Sequence, residues 1–383
     1  MPNLTEDQIK ARIADGSLTA VTLDTSIFDR YGCNLDFPLL RSLTQFKAGN
    51  ISVLFSDVIV SEISSHIAEK AAETQTALKQ AIKKFAKVWQ TTPVDAEIVK
   101  VLQNDDDPVG FSAQRVTDFI QDVEGEVVPA AGDKAITEEV MRRYFTSMTP
   151  FEKKQEKKSE FPDAFALVSL DQVFALKKQF ILCVSKDKGW HSFAEQSDWL
   201  VCAEDLDIAL SFFHDTGRNT ADSVVEMLKN GSAEELIDDL ELSIQARLDD
   251  FDFEAETHSG LDYEAEPASV SLQLVNYETL SNPIITNASD DEVSFTIRVE
   301  ALVMFEAGFT FYAYDSIDKD YVTLTTEYAE IESKHIFKLV VTVSRDLDPE
   351  PVPLSVDVVK DRLEVNFGYV EPFANEDPTH EKY

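Results

Sequence analysis

The first half of the chain alternates short apolar runs with stretches of helical periodicity. Residues 20–24 (AVTLD) form a brief apolar run that closes on a polar turn, the pattern of a buried parallel strand. The spacing of Leu39, Leu40, Leu43 and Phe46 predicts a helix over 37–49, stopped by Gly49. A second strand follows at 51–55 (ISVLF). Ser56 then stands at an N-cap position, before a long helix in which Ile59, Ile63 and Ile67 recur at every fourth residue and which runs to about Trp89. Residues 94–148 read as further helices, interrupted by NDDDP at 104–108. A lysine-rich stretch at 152–160 leads into a helix with Pro162 at its start, and third and fourth strands fall at 181–185 (ILCVS) and 199–202 (WLVC). Strands separated by helices imply an α/β fold, a parallel sheet covered on both faces.

Beyond residue 204 the pattern changes. Residues 204–250 look helical, and the acidic, Gly- and Pro-containing stretch 249–267 reads as a linker. From 268 the chain alternates and is rich in β-branched residues, in seven runs: SVSLQLV, VSFTIRVEALV, FTFYAY, YVTLTTEY, IFKLVVTV, LSVDVV and RLEVNFGYV. These predict a separate all-β domain, sandwich-like or barrel-like. The expected division is 1–215 for the α/β domain, 216–260 for a helical segment with acidic linker, and 261–383 for the β-rich domain.

Charge sharpens this division. The net charge is −37. Residues 1–200 carry 23 basic and 30 acidic side chains, whereas residues 201–383 carry 11 and 41. So strong an acidic excess argues against non-specific duplex binding by the whole molecule, yet the first half clusters its positive charge at Lys79/Lys83/Lys84/Lys87 and Lys153/Lys154/Lys157/Lys158. A locally basic groove fits there. No apolar run reaches the roughly 18 residues needed to cross a bilayer, and the polar N-terminus lacks the core of a signal peptide, so the expectation is a soluble, cytoplasmic protein without a membrane partner. Cys33, Cys183 and Cys202 are too few and scattered for a disulfide framework. With no CxxC and no Cys/His pairing along the chain, they predict no metal site.

Four acids fall where an open parallel sheet presents its ligand edge. Asp24 ends the first strand, Asp187 follows the third, Glu62 lies in the second turn of the long helix, and Asp163 lies in the first turn of the helix that Pro162 opens. Gathered in one pocket, they would need a compensating cation. Oxygen-only ligands suit Mg²⁺ or Mn²⁺, and such ions activate water against phosphodiesters without a Ser, Cys or His nucleophile. Each acid has another role open to it: an aspartate at a strand end also forms an Asx-turn, one at a helix start is favoured by the helix dipole, and a helical glutamate is commonly solvated. Trp190 reads as a packing residue rather than a base-stacking one, and His66 as a surface histidine.

The segments LDTSIF (23–28), SDVIVSEISSH (56–66), KKSEFPDAFALVSL (157–170) and VSKDKGW (184–190) together resemble the PIN-domain nucleases, the last two most closely a bacterial branch that carries a KKxEFPDA motif. The resemblance spans about residues 18–215. It implies a PIN-like parallel sheet, a Mg²⁺ or Mn²⁺ cofactor, and a metal and catalytic pocket made by Asp24, Glu62, Asp163 and Asp187. Thr25 and Ser26 would support that pocket, and Lys157, Lys158, Lys186 and Lys188 are the candidates to contact nucleic acid, with a solvated charge run the other account of 157–158. The chain departs from the family at Ser26, where Asn is usual, and at Gly189, where a further acid often stands. The implied activity is endonucleolytic cleavage, with single-stranded RNA favoured, in a toxin or an antiviral-defence effector. The acidic C-terminal domain would bind a regulatory partner or self-associate. The alternative is a catalytically weak PIN-fold scaffold. A phosphatase of the HAD type, which needs a second aspartate two residues after Asp24, is excluded by Ser26.

Overall fold

The computed structural model describes residues 4–89, 107–130, 132–151, 159–214, 216–249, 253–315, 319–347, 350–359, 363–370 and 372–373. The chain divides into two compact units, Met1–Asp215 and Thr216–Tyr383.

The first unit is built on five parallel strands, β1 (Leu18–Leu23), β2 (Ser52–Ser56), β3 (Glu126–Val128), β4 (Phe180–Val184) and β5 (Leu200–Ala203), in the order β3-β2-β1-β4-β5. Val21 pairs with Val53 on one side and Leu182 on the other, and all three are buried. Such strands are apolar along their whole length because helices cover both faces. The helices are α1 (Glu6–Ala14), α2 (Thr25–Arg30), α3 (Pro38–Arg41), α4 (Asp57–Trp89), α5 (Pro108–Asp122), α6 (Lys134–Thr146), α7 (Phe161–Lys177), α8 (Lys188–Gln196) and α9 (Leu206–Ser211). Phe28 of α2, Phe55 of β2 and Phe119 of α5 form an aromatic knot on one face, with ring centroids 5.9–6.4 Å apart. The four expected strands are β1, β2, β4 and β5. Two expectations need correction. The helix over 37–49 is α3 followed by a 3₁₀ segment, Ser42–Ala48, although Leu39, Leu40, Leu43 and Phe46 are all buried as their spacing requires. Within 94–148, read as helices interrupted at 104–108 and lying outside the described residues up to 106, residues 126–128 form β3, an edge strand too short to show a period.

The strand order reverses at β1. From there the chain steps outward to β2 and β3 on one side and later to β4 and β5 on the other. In open parallel sheets this reversal opens a crevice at the carboxyl ends of the two central strands. Here those ends are Leu23–Asp24 and Val184–Ser185, joined where the Asp24 N–H donates to the Val184 carbonyl at 2.9 Å.

The second unit carries α10 (Arg218–Asn230), α11 (Glu234–Asp249) and seven strands. β7 (Asp262–Asn276), β8 (Ile284–Ala288), β9 (Glu292–Asp315), β10 (Asp320–Ser344) and β11 (Pro353–Val358) form an antiparallel sheet, while β6 (Glu254–His258) and β12 (Glu364–Tyr369) pair in parallel. β9 buries every second residue from Val293 to Phe311 without a break, the period-two signature of one face against a core. Leu236, Leu240, Ile244 and Leu248 line one stripe of α11 and lie in that same core. The seven alternating runs are thus fewer strands than expected: VSFTIRVEALV and FTFYAY are one strand, as are YVTLTTEY and IFKLVVTV. The small residues Ala307 and Gly308 mask the continuity of β9 in the sequence. Gly308 lies under the Tyr328 ring, where a Cβ would come 3.2 Å from it. The stretch 249–267, expected to be a linker, holds β6 and the start of β7 in its described part.

Candidate functional site

Each of the four acids expected from the sequence follows from a local rule of chain geometry. Asp24 leaves β1 and caps α2; it is only 4% exposed. Its Oδ2 accepts hydrogen bonds from the hydroxyls of Ser26 and Ser185, the latter at 2.7 Å. The Ser26 hydroxyl thus holds Asp24 from the first turn of α2. Ser185, which the sequence did not single out, follows β4 directly. Its Oγ donates to Asp24 and accepts from the Asp187 N–H at 2.9 Å, so one buried hydroxyl links the ends of the two central strands. Asp187 caps α8, accepting from the Gly189 N–H. Glu62 projects from the second turn of α4, where the Thr25 hydroxyl donates to its Oε2 at 2.8 Å. Asp163, in the first turn of α7, accepts from the Trp190 indole N–H at 2.9 Å.

The other three acids lie close enough to Asp163 for their charges to act on it. Burial pushes the Asp163 carboxyl up to about 7, the negative charges of Asp24, Asp187 and Glu62 push in the same direction, and the Trp190 N–H opposes them. Asp24 is raised as well, chiefly by burial and further by Asp187, against the hydroxyls of Ser26 and Ser185. Glu160, Asp163 and Asp187 each bring one carboxylate oxygen within 4.8 Å of the others. An all-oxygen donor set fits a hard divalent cation.

Glu160 is a fifth acid that the sequence reading missed. Its signal was present in the run EFPDA, because residues three apart across a helix start lie on one face. Gly189 lies close against two of these carboxylates. A Cβ on Gly189 would lie 2.7 Å from Asp187 Oδ1, and 3.6 Å from Glu160 Oε2. Trp190 is fully buried, as expected of a packing residue, but its N–H gives it a second task of holding Asp163. Among the lysines, Lys188 is exposed, and Lys186 is exposed with its ammonium 3.7 Å from Asp205. Lys157 and Lys158 lie outside the described residues. His66 pairs with Asp29, Nδ1 to Oδ1 at 2.9 Å.

A parallel α/β sheet with hydrogen-bonded carboxylates at its switch point is an arrangement that can hold a cation at the strand ends. A family model described as a PIN domain matches residues 21–190, a stretch that contains all five acids. The match supports the PIN-domain family for this part of the chain, and PIN domains in general are metal-dependent nucleases that act on nucleic acid. No curated protein and no solved structure matches the chain. Among the described residues, no helix is long and apolar enough to cross a membrane.

Proposed function

We propose that the first unit is a Mg²⁺- or Mn²⁺-dependent endonuclease that hydrolyses phosphodiester bonds in single-stranded nucleic acid, RNA by preference, acting in the cytoplasm as a toxin or antiviral-defence effector. The observation that carries this reading is the gathering of Asp24, Glu62 and Asp187 close enough to half-buried Asp163 for their charges to act on it, at the switch point of the sheet. These four would hold the cation, and Glu160 would add a further carboxylate. A bound divalent cation supplies positive charge to a phosphodiester and lowers the pKa of an attacking water. The chain's own contribution is orientation. Thr25 fixes Glu62, Ser26 and Ser185 fix Asp24, and Trp190 fixes Asp163, each through one hydrogen bond. Lys186 and Lys188, with Lys157 and Lys158 before α7, are placed in the sequence to meet substrate phosphates on either side of these acids.

The purified protein is expected to cut labelled single-stranded RNA with Mn²⁺ and to leave it intact with chelator. Cleavage that persists in chelator, or no cleavage of any single- or double-stranded RNA or DNA, removes the nuclease reading. In the latter case calorimetric titration with Mn²⁺ tests the scaffold alternative, which requires weak or absent binding.

The second unit is proposed to act through protein contact, by self-association or with a regulatory partner that has a basic face, because residues 201–383 hold 41 acidic against 11 basic side chains. Since α10 and α11 bury their apolar residues in the core of the second unit, the cut that tests this falls after Asp215. The chain ending there is expected to bind single-stranded RNA at least as tightly as the full chain at low salt, and the difference should shrink as salt screens the acidic unit. Markedly weaker binding at every salt concentration, with circular dichroism unchanged, would make the second unit part of the nucleic-acid site.

A further inference from the structure

Beside the carboxylate pocket stands a second cluster, of different chemistry. Asp29 lies near the end of α2, Cys33 lies in the turn after it, and His66 lies on α4 one turn beyond Glu62. Each offers one ligand atom, and the three atoms lie within 4.8 Å of one another. Asp29 Oδ1 accepts from the Cys33 thiol at 3.2 Å and lies 2.9 Å from His66 Nδ1. The turn that brings Cys33 back to Asp29 uses a left-handed backbone at the cysteine itself, with φ of 57°. A non-glycine residue adopts that conformation at a cost of about 1–2 kcal/mol. The Cys33 N–H closes the turn on the Phe28 carbonyl at 2.8 Å. Cys33 is buried, whereas the side chains of His66 and Asp29 are 38% and 43% exposed, so the cluster is open to solvent on one side.

The ligand chemistry separates this cluster from its neighbour. A thiol, an imidazole and a carboxylate form a donor set that selects Zn²⁺ over Mg²⁺ or Mn²⁺. We propose that Asp29, Cys33 and His66 form a Zn²⁺ site that ties α2 to α4, with its remaining coordination position open to water. The thiol proton passes to solvent as the sulfur binds the ion, and the imidazole binds through an unprotonated nitrogen. Before metal binds, burial and the Asp29 hydrogen bond push the Cys33 thiol up to about 11, which rules out a resting thiolate nucleophile. Lys70, whose Nζ lies 3.5 Å from Cys33 Sγ, is the nearby charge that opposes a cation. It is exposed, and its flexible arm can withdraw into water. The same two helices carry Thr25 and Glu62, which pair at 2.8 Å one turn away. A Zn²⁺ ion here would brace the frame of the first pocket without entering it. The site stands independently of the nuclease reading, and it reverses the expectation that no cysteine here serves a metal: Cys33 and His66 are far apart along the chain and meet only in space.

The test uses the full chain carrying Asp24→Asn and Asp163→Asn, so that the carboxylate pocket is disabled, with Co²⁺ as the optical probe. One equivalent of Co²⁺ is expected to give a thiolate-to-cobalt charge-transfer band in the near ultraviolet. Zn²⁺ should abolish that band and raise the melting temperature. Cys33→Ser should remove the band. His66→Ala, at a half-exposed position where folding is readily checked by circular dichroism, should weaken Zn²⁺ binding by at least about tenfold, the cost of disturbing even an outer partner of a metal ligand. The absence of a charge-transfer band overturns the proposal, as does a band that survives Cys33→Ser and so arises from Cys183 or Cys202. Zn²⁺ binding that His66→Ala leaves unchanged overturns it too, and that variant decides alone if Cys33→Ser does not fold.

Discussion

Asp24→Asn is expected to abolish cleavage while leaving the fold intact. The asparagine amide oxygen keeps an acceptor for the Ser26 and Ser185 hydroxyls, so the hydrogen bonds at the end of β1 survive. What disappears is a negative charge on a group only 4% exposed. Burial already disfavours that charge in the metal-free protein, so the melting temperature with chelator should hold or rise slightly. The loss falls on catalysis. Removing a cation ligand should cost on the order of 4 kcal/mol of transition-state stabilisation, roughly a thousandfold in rate. Single-turnover cleavage of labelled single-stranded RNA in Mn²⁺ measures it. A variant that keeps more than about a tenth of the wild-type rate takes Asp24 out of the metal pocket.

Asp163→Asn is expected to separate stability from function more sharply still. In the folded protein the carboxyl titrates at about 7, well above its ordinary value of 3.8. The native state therefore favours the protonated form. That advantage is fully present below about pH 4, where the unfolded chain is protonated too, and it is lost as pH rises through about 7. With chelator, the wild-type melting temperature should fall between pH 5 and pH 8 by more than that of Asp163→Asn, which has nothing to ionise there. At pH 8 the variant should be the more stable by about 1–3 kcal/mol, because its amide still accepts from the Trp190 N–H without carrying charge. Asp24 shares the pocket and shifts in the same direction, so the slope belongs to the group of acids and the variant removes one part of it. Mn²⁺ should reverse the order, raising the melting temperature of the wild type and leaving Asp163→Asn behind. Parallel pH slopes for the two proteins, or equal gains with Mn²⁺, would show that Asp163 is not held as the structure places it.

The sequence by itself determined the elements whose period is long or whose composition is extreme. β1, β2, β4 and β5 were legible because a strand covered on both faces has no polar positions to dilute it. Asp24, Glu62, Asp163 and Asp187 were legible because each stands at a strand end or in the opening turns of a helix, and the motifs around them are long enough to resemble a family. β3 was not legible: three residues at a sheet edge have no period to read. The two long strands β9 and β10 were split in the reading because alternation weakens at Ala307–Gly308 and between YVTLTTEY and IFKLVVTV, while backbone pairing runs on from Asp320↔Asp315 to Ser344↔Glu292. Register between neighbours, not side-chain pattern, keeps such a hairpin continuous.

Only the tertiary structure decided which side chains act on one another. Ser185 is an ordinary serine in VSKDKGW until β4 lies beside β1 and its hydroxyl reaches Asp24. The Trp190 indole looks like core until α8 packs near α7 and its N–H finds Asp163. The raised Asp163 carboxyl follows first from its burial in the fold and then from the charges of Asp24, Asp187 and Glu62, which come from three other parts of the chain. Cys33 and His66 form no spacing motif, yet the packing of α2 against α4 sets them around Asp29. The physical reason is common to all four cases. Hydrogen bonds and charge coupling act over a few ångströms in space, and sequence separation records that distance only within one helix turn or one tight turn of the backbone.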